Sequence, residues 1–169
     1  MKSKNIVWDI QTRVFHWMIA LPVLLNFFLD GEDDPHKWLG YVALTGLSLR
    51  LMWEFRPGTK KRFSAFMLNW RVVKNYILEL IHNEAKPTLA HNPMASWVYI
   101  FIWIIVVLLG STGFMMGLDA FWGEDWPEEL HGTLSTIMKV LVFLHLSGII
   151  FDSLKFKRQT WLGMITGKK

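Results

Sequence analysis

Four long apolar segments alternate with polar ones along the chain. They cover residues 14–29, 36–55, 94–118 and 130–151. Each is close in length to the roughly 20 residues that a helix needs to cross a hydrocarbon core. None of them alternates with the period of two that marks a strand, and open strands leave their backbone groups unpaired in lipid. The pattern predicts an all-α fold, an integral membrane four-helix bundle in which residues 1–169 form a single domain.

A further helix is predicted in the connection between the second and third segments. Apolar side chains recur at helical spacing over residues 63–81, opposite Arg71, Lys74 and Glu79. The apolar positions are Phe63, Phe66, Met67, Trp70, Val73, Ile77 and Leu80. An amphipathic pattern of this kind is typical of a helix that lies in the cytoplasmic membrane interface. A helix packed on the ends of the bundle would show the same pattern, so both interpretations stay open.

The composition agrees with a membrane environment. Of the 169 residues 52% are hydrophobic, and ten tryptophans and twelve phenylalanines are present, which is high for a soluble domain. There is no cysteine, which excludes disulfides, thiolate-bound metals, iron–sulfur centres and covalent haem attachment through a C-x-x-C-H motif. The first segment follows a short basic start but no A-x-A-like cleavage site follows it, so we interpret it as a retained anchor.

The charged residues predict the orientation in the membrane. Lysine and arginine dominate residues 1–13, 56–86 and 155–169, whereas residues 30–35 and 118–129 are acidic, with Lys37 as the only cation near them. By the positive-inside rule the basic regions, and with them both termini, face the cytoplasm. The net charge of +4 therefore reflects topology, and nothing in the sequence points to nucleic acid.

Four of the six histidines lie within the apolar segments. His16 lies at the cytoplasmic end of the first segment and His36 at the outer end of the second. The fourth segment carries His131 at its outer end and His145 toward the cytoplasm. Ionisable groups within membrane helices are costly and are functional candidates for that reason.

The spacing of these histidines predicts two pairs. Fourteen residues separate His131 from His145, which is about four helical turns, so both lie on one face roughly 21 Å apart. Because the segments alternate in direction, His36 lies at the depth of His131 and His16 at the depth of His145. Two imidazoles on facing helices can fill both axial positions of a non-covalent haem. The pattern therefore predicts two haems b.

The same four histidines are also compatible with two different roles. A zinc or copper ion would normally need further ligands in the same layer, and acidic residues lie near the outer pair only. All four could also be structural histidines satisfied by neighbouring helices. The remaining two, His82 and His91, lie in the polar connection and are interpreted as a solvated loop residue and a residue at a helix start.

Several further residues could serve a haem or a quinone. Arg13 and Arg50 on the inner side and Lys37 on the outer side are candidate partners of haem propionates, although Arg50 could instead snorkel to the interface. Lys139, near the middle of the fourth segment, could contact a quinone or a partner subunit, or be a buried neutral amine. Small residues could admit either a neighbouring helix or a porphyrin. They are Gly40, Gly46, Gly110, Gly113, Gly117 and Gly148.

Four stretches, in order, resemble the bacterial cytochrome b561 family, which includes the b-type subunits of nickel–iron hydrogenases. They are VWDIQTRVFHW at 7–17, HKWLGYVALTGLSLRLMW at 36–53, AHNPMASW at 90–97 and the whole of 131–169. The resemblance implies a four-helix bundle in the bacterial inner membrane. It also implies two haems b, whose ligands would be His16, His36, His131 and His145.

The predicted function is transmembrane electron transfer. The resemblance implies that electrons pass between the quinone pool and an outer-side partner such as a hydrogenase or a c-type cytochrome. One branch of the family oxidises superoxide and passes the electron to quinone, which is the alternative here. The acidic outer segments would repel that anion and suit a basic partner. A haem-free transporter or assembly factor is a third interpretation. The expected partners also include membrane lipid, and a homo-oligomer stays open.

Overall fold

The computed structural model describes residues 8–29, 34–55, 69–87 and 92–167, and every regular element in these ranges is helical. The α-helices are α1 (Ile10–Asn26), α2 (Asp34–Glu54), α3 (Trp70–Ile81), α4 (Pro93–Met115), α5 (Trp126–Lys155) and the short α6 (Gly163–Thr166). Single 3-10 turns cover Asp119–Phe121 and Thr160–Leu162. Some features used in the predictions lie outside the described ranges: the acidic stretch 30–33, the apolar positions 63–67, His91, and the lysines and arginines of residues 1–7, 56–62 and 168–169.

Capping residues set where the helices begin. The side chain of Asp9 accepts a hydrogen bond of 2.7 Å from the backbone N–H of Thr12, so α1 starts at residue 10, before its apolar segment. Asn92 caps α4 in the same way, through a bond of 2.7 Å from the N–H of Ala95. Helix α5 extends beyond residues 130–151 at both ends, since Pro127 and acidic residues suit a first turn and Lys155 suits a last one.

Two helices of the described ranges, α4 and α5, are long and apolar enough to cross a membrane by length and composition. Helix α1 has 17 residues, which is about 26 Å at 1.5 Å per residue. Helix α2 has 21 residues but carries four charged side chains, namely Asp34, Lys37, Arg50 and Glu54.

The four long helices pack around one apolar core. Its buried members are Ile19 of α1, Leu47 of α2, Ile105 and Val106 of α4, and Leu134 and Met138 of α5. Small residues let the helices approach closely. A Cβ atom on Gly46 would lie 2.8 Å from the Cβ of Met18, and one on Gly110 would overlap the side chain of Leu44. These two glycines therefore serve helix packing.

Helix direction gives the bundle two distinct ends. The start of α1, the end of α2, the start of α4 and the end of α5 lie at what we call the basic end, which carries Arg13, Arg50, Lys155 and Arg158. The backbone N–H of Trp8 donates to the carbonyl of Gly167 at 3.2 Å there. The opposite end, called the acidic end, carries exposed carboxylates. They are Asp34, Asp119, Glu124, Asp125, Glu128 and Glu129.

Helix α3 packs on the basic end of the bundle. Val73 and Tyr76 are buried there, and the Lys155 ammonium donates to the carbonyl of Leu80 at 3.3 Å. Burial raises the pKa of the Tyr76 phenol, and the nearby carboxylate of Asp152 raises this pKa further. Lys74 and Glu79 on the other side of α3 stay exposed, and so does Trp70 at its first turn. The helix predicted between the second and third segments is therefore present and rests on the bundle through one face.

Candidate functional site

The structure brings the four histidines of the long helices together as two pairs. At the acidic end, the ring centroids of His36 and His131 are 6.1 Å apart and the ring planes are inclined by 61°. Toward the basic end, the centroids of His16 and His145 are 6.4 Å apart and the planes are inclined by 51°. Each pair joins two different helices, α2 with α5 and α1 with α5.

These separations fit two axial ligands of one iron. A bond between a metal and an imidazole nitrogen is about 2 Å long, so two rings on opposite sides of one iron have centroids roughly 6 Å apart. No described atom lies within 4 Å of a Cβ atom built on Gly40 or Gly148, one turn from His36 and His145. Within the described part of the chain, no group of three or more His, Asp or Glu side chains could hold a metal ion.

Polar contacts surround the pair at the acidic end. The hydroxyl of Thr112, a buried residue of α4, lies 2.8 Å from Nδ1 of His131. The backbone carbonyl of His36 accepts a hydrogen bond of 3.2 Å from the side chain of Asn26. A Cβ atom on Gly113 would lie 3.5 Å from Cε1 of His131, so this glycine faces the imidazole.

Aromatic side chains surround the other pair. Trp17 meets His16 edge-on, with ring centroids 5.3 Å apart, and the ring of Tyr99 lies 5.2 Å from that of His145. The indole N–H of Trp17 donates to the carbonyl of Met164 at 3.1 Å. This contact ties the residue next to His16 to the C-terminal helix α6.

Sequence reasoning missed Thr112, Asn26 and Tyr99. The only signal for Thr112 was a polar pair, Ser111 and Thr112, within the most apolar segment. Tyr99 carries no local signal, because its place opposite His145 depends on the register between α4 and α5.

The three candidate propionate partners have different surroundings. Arg50 is buried, with Nη2 3.2 Å from Oε1 of Glu54 and Nη1 donating to the carbonyl of Thr12 at 3.0 Å. Arg13 donates through Nη1 to the carbonyl of Ile165 at 2.5 Å. Lys37 is exposed and lies 4.0 Å from a carboxylate oxygen of Asp34. Both arginines are thus held by protein groups at the basic end.

Three further candidates from the sequence lie away from the pairs. Lys139 is exposed on α5, and its ammonium lies 5.9 Å from the ring centroid of Phe27, a cation–π distance. His82 is exposed at the end of α3, and its Nδ1 lies 2.7 Å from the carbonyl of Leu78 in the same helix. A Cβ atom on Gly117 would meet the carbonyl of Phe114 in its own segment.

An apolar groove runs along α1 on the side of Arg13 and Trp17. It has a volume of about 590 Å³ and is lined by side chains of α1, α2 and α6, among them Arg13, Trp17, Leu21, Val42 and Met164. Its volume is in the range of pockets that take small organic molecules. Of the described residues that line it, Arg13 alone is charged.

Comparison with known proteins identifies a family that the chain matches. The model of a family described as prokaryotic cytochrome b561 matches residues 7–167. No curated protein and no solved structure matches the chain. The matched range includes all four paired histidines.

Proposed function

Since the chain belongs to the prokaryotic cytochrome b561 family, whose members are helical membrane proteins that bind haem b and transfer electrons, we propose that it is a dihaem cytochrome b of the bacterial inner membrane. His36 and His131 would hold one haem, and His16 and His145 the other. The observation that carries this proposal is the separation of the two histidine pairs, 6.1 and 6.4 Å between ring centroids. A pair of imidazoles leaves no axial position for oxygen and favours electron transfer.

The proposed topology has four spans, formed by α1, α2, α4 and α5, with the basic end in the cytoplasm. The positive-inside rule supports this orientation, because Lys37 is the only lysine or arginine described at the acidic end, whereas the basic end carries several, among them Arg13, Lys155 and Arg158. The exposed Trp70 of α3 would then lie in the cytoplasmic interface, where tryptophan is favoured.

The haem would supply the reversible one-electron chemistry of its iron. The chain's own contribution would be to position the two haems. Helix α5 carries one ligand of each pair, and the fourteen residues between His131 and His145 separate the two sites by roughly 21 Å along its axis. Burial of Leu134 and Met138 between them keeps water out of the intervening core.

We place the outer redox partner at the acidic end. The described residues of this end include six exposed carboxylates and one exposed cation, Lys37. A positively charged partner surface, on a hydrogenase subunit or a c-type cytochrome, would be steered toward such an end. The apolar groove lined by Arg13 and Trp17 is the proposed site of approach for quinone, because the Trp17 ring also contacts His16. Arg13 is the proposed hydrogen-bond donor to a quinone oxygen.

The test uses purified protein in lipid vesicles. We expect two low-spin haems b per chain in a redox-titrated visible spectrum. We further expect that a quinol added to the membrane reduces a membrane-impermeant oxidant on the other side, faster than in vesicles without protein and faster than with His131→Ala. A protein without haem, or equal rates with His131→Ala, would overturn the proposal. Rapid quinone-dependent consumption of superoxide would favour the superoxide oxidase alternative instead.

Filling the groove tests where quinone approaches. Leu21→Trp places a large side chain in the lining and should slow haem reduction by quinol several-fold, with haem content unchanged. Phe143→Trp, at an exposed position of α5 outside the groove, is the matched control. Equal rates for the two variants would remove the groove from the proposal and leave the haem assignment intact.

A further inference from the structure

The hydrogen bond between Thr112 and His131 defines which ring nitrogen of this histidine carries the proton. Oγ1 of Thr112 lies 3.0 Å from the carbonyl of Leu108 and 3.1 Å from that of Leu109, both in its own helix. Carbonyl oxygens only accept, so either of them can take the single hydroxyl proton of Thr112. With the proton placed there, the Thr112 oxygen accepts the bond of 2.8 Å from Nδ1 of His131.

The neighbouring glycine supports this orientation of the ring. A Cβ atom on Gly113 would lie 3.5 Å from Cε1 and 3.9 Å from Nδ1 of His131, so this edge of the imidazole faces α4. Nε2, which is bonded to the other side of Cε1, lies more than 4 Å from that Cβ atom. With the proton on Nδ1, Nε2 keeps its lone pair, which is the form that ligates a metal.

The two histidines of this pair differ in the hydrogen bonding of Nδ1. Nδ1 of His36 is buried and has no hydrogen-bond partner among the described residues, whereas Nδ1 of His131 has Thr112. A hydrogen bond from the far ring nitrogen makes an imidazole a stronger donor to its metal. Stronger donation stabilises ferric over ferrous iron and lowers the midpoint potential.

We propose that Thr112 is a positioning residue that holds His131 in the Nδ1–H tautomer and lowers the midpoint potential of the haem at the acidic end. The inference rests on the proposed function, since it requires that His36 and His131 hold a haem. Helix α4 supplies no haem ligand in the proposed function. The inference gives it another role, which is to make the midpoint potentials of the two haems differ.

The experiment compares three variants in the haem-loaded protein. Thr112→Val removes the hydroxyl and keeps the shape of the side chain, whereas Thr112→Ser keeps the hydroxyl. Thr136→Val is the matched control, because within the described residues the Thr136 hydroxyl bonds only to the carbonyl of Gly132 in its own helix, at 3.1 Å. Haem content and the midpoint potential of each haem are measured by redox titration, and the haem at the acidic end is identified as the one that His36→Ala lacks.

We expect Thr112→Val to raise the midpoint potential of that haem only. The expected size is up to about a tenfold change in the ferrous-to-ferric ratio at a fixed ambient potential, which corresponds to about 59 mV for one electron. Thr112→Ser should restore most of the wild-type value, and Thr136→Val should leave both potentials unchanged.

Two results would overturn the inference. One is a Thr112→Val protein with both haems and both potentials unchanged, which leaves the proposed function standing. The other is the finding that His36→Ala has as much haem as the wild type. In that case the proposed function fails as well. If Thr112→Val loses the haem, retention in Thr112→Ser supports the role of the hydroxyl, and loss in both variants contradicts it.

Discussion

The basic end of the bundle is tied together by polar contacts between distant parts of the chain, whereas the described residues of the acidic end make few such contacts. At the basic end Arg13 donates to the carbonyl of Ile165, Trp17 to that of Met164, and the backbone N–H of Trp8 to that of Gly167. The buried Arg50 pairs with Glu54 in the same region. At the acidic end the ion pair of Lys37 with Asp34 is exposed and 4.0 Å long.

This difference separates two tasks. Polar contacts join the C-terminal segment to α1 and to α5, the two helices that carry His16 and His145. The acidic end instead leaves its carboxylates in solvent, where they can meet a partner, and fixes its own pair through Asn26 and Thr112. We therefore expect substitutions at the basic end to affect mainly stability, and substitutions at the acidic end to affect mainly exchange with the partner.

The largest effect is expected from the histidines themselves. His36→Ala and His131→Ala should each lower the haem content from two per chain to one and remove the same component of the redox titration. His16→Ala and His145→Ala should remove the other component, because under the proposed assignment the two rings of a pair would share one iron. His82→Ala is the control, and loss of a haem in that variant with all four other histidines dispensable would refute the pairing.

The next largest effect is expected at the buried ion pair of the basic end. Arg50→Met removes the guanidinium 3.2 Å from the buried Glu54 carboxylate, and breaking a buried pair from one side costs about 3–5 kcal/mol. For a chain of this length the melting temperature should then fall by roughly 10 °C, measured in detergent. The double variant Arg50→Met with Glu54→Leu should recover much of this loss, since no isolated buried charge remains.

The matched substitution at the acidic end is Lys37→Met. The side chains of Lys37 and Asp34 are 57% and 86% exposed, and a pair of this kind contributes less than about 1 kcal/mol. Equal losses of melting temperature for Arg50→Met and Lys37→Met would contradict the proposed contrast between the two ends.

A smaller effect, on a rate, is expected at the acidic end. Replacing Glu128 and Glu129 by Gln removes two exposed charges from the first turn of α5. Exchange of electrons with a positively charged c-type cytochrome should slow by about tenfold at low ionic strength, and the difference should fade as salt screens the charges. Glu79→Gln, on the exposed side of α3, should leave the rate unchanged, and a salt-independent effect would argue against electrostatic steering.

Two glycines with similar backbone angles extend the comparison. Gly167 at the basic end has a φ of 76°, and a Cβ there would lie 2.8 Å from the carbonyl oxygen of Trp8. Gly123 at the acidic end has a φ of 82°, and no described atom lies within 4 Å of its added Cβ. Each change to Ala introduces about 1–2 kcal/mol of backbone strain.

Only Gly167→Ala should in addition loosen the C-terminal segment from α1. Faster cleavage by protease after residue 160, together with a lower melting temperature than Gly123→Ala, would support this. The same behaviour in both variants would show that the contact with Trp8 does not stabilise the basic end.

The smallest effect is expected from Tyr76. Because its pKa is raised by burial and by Asp152, the unfolded chain loses the phenol proton first, near the ordinary value of about 10. This group's contribution to stability is therefore present below pH 10 and is lost as the pH rises toward the folded-state pKa. The melting temperature should fall less steeply above pH 10 in Tyr76→Phe than in the wild type. The exposed Tyr41→Phe should keep the wild-type slope, and identical slopes in all three proteins would refute the effect.

Much of the fold was predictable because its signals are local. The resemblance to the cytochrome b561 family is confirmed by the family match over residues 7–167, and the helical membrane class follows from it. The placement of His131 and His145 on one face needed only the helical repeat. Helix ends were predicted less well, because caps such as Asp9 and first-turn residues such as Pro127 lie outside the apolar segments.

The surroundings of the histidines were not predictable in this way. Gly110 and Gly113 have the same local sequence signal, yet the first meets Leu44 and the second meets His131. Arg50 could be recognised as a charged residue near a helix end, but its pairing with Glu54 and the carbonyl of Thr12 depends on how α1 lies against α2. The two long helices α4 and α5 must also be in register before Tyr99 can lie against His145.

The sequence alone thus indicated the helical class, the family and the histidines that could lie at one depth. These follow from the periodicity and the charge of single segments. Packing in three dimensions was needed to show that Thr112 bonds to His131, that Tyr99 and Trp17 lie against the other pair, and that the C-terminal segment closes one end. The physical reason is that contacts between helices depend on how their surfaces interlock. Close approach at Gly46 and Gly110 sets that register through side chains distant in the chain.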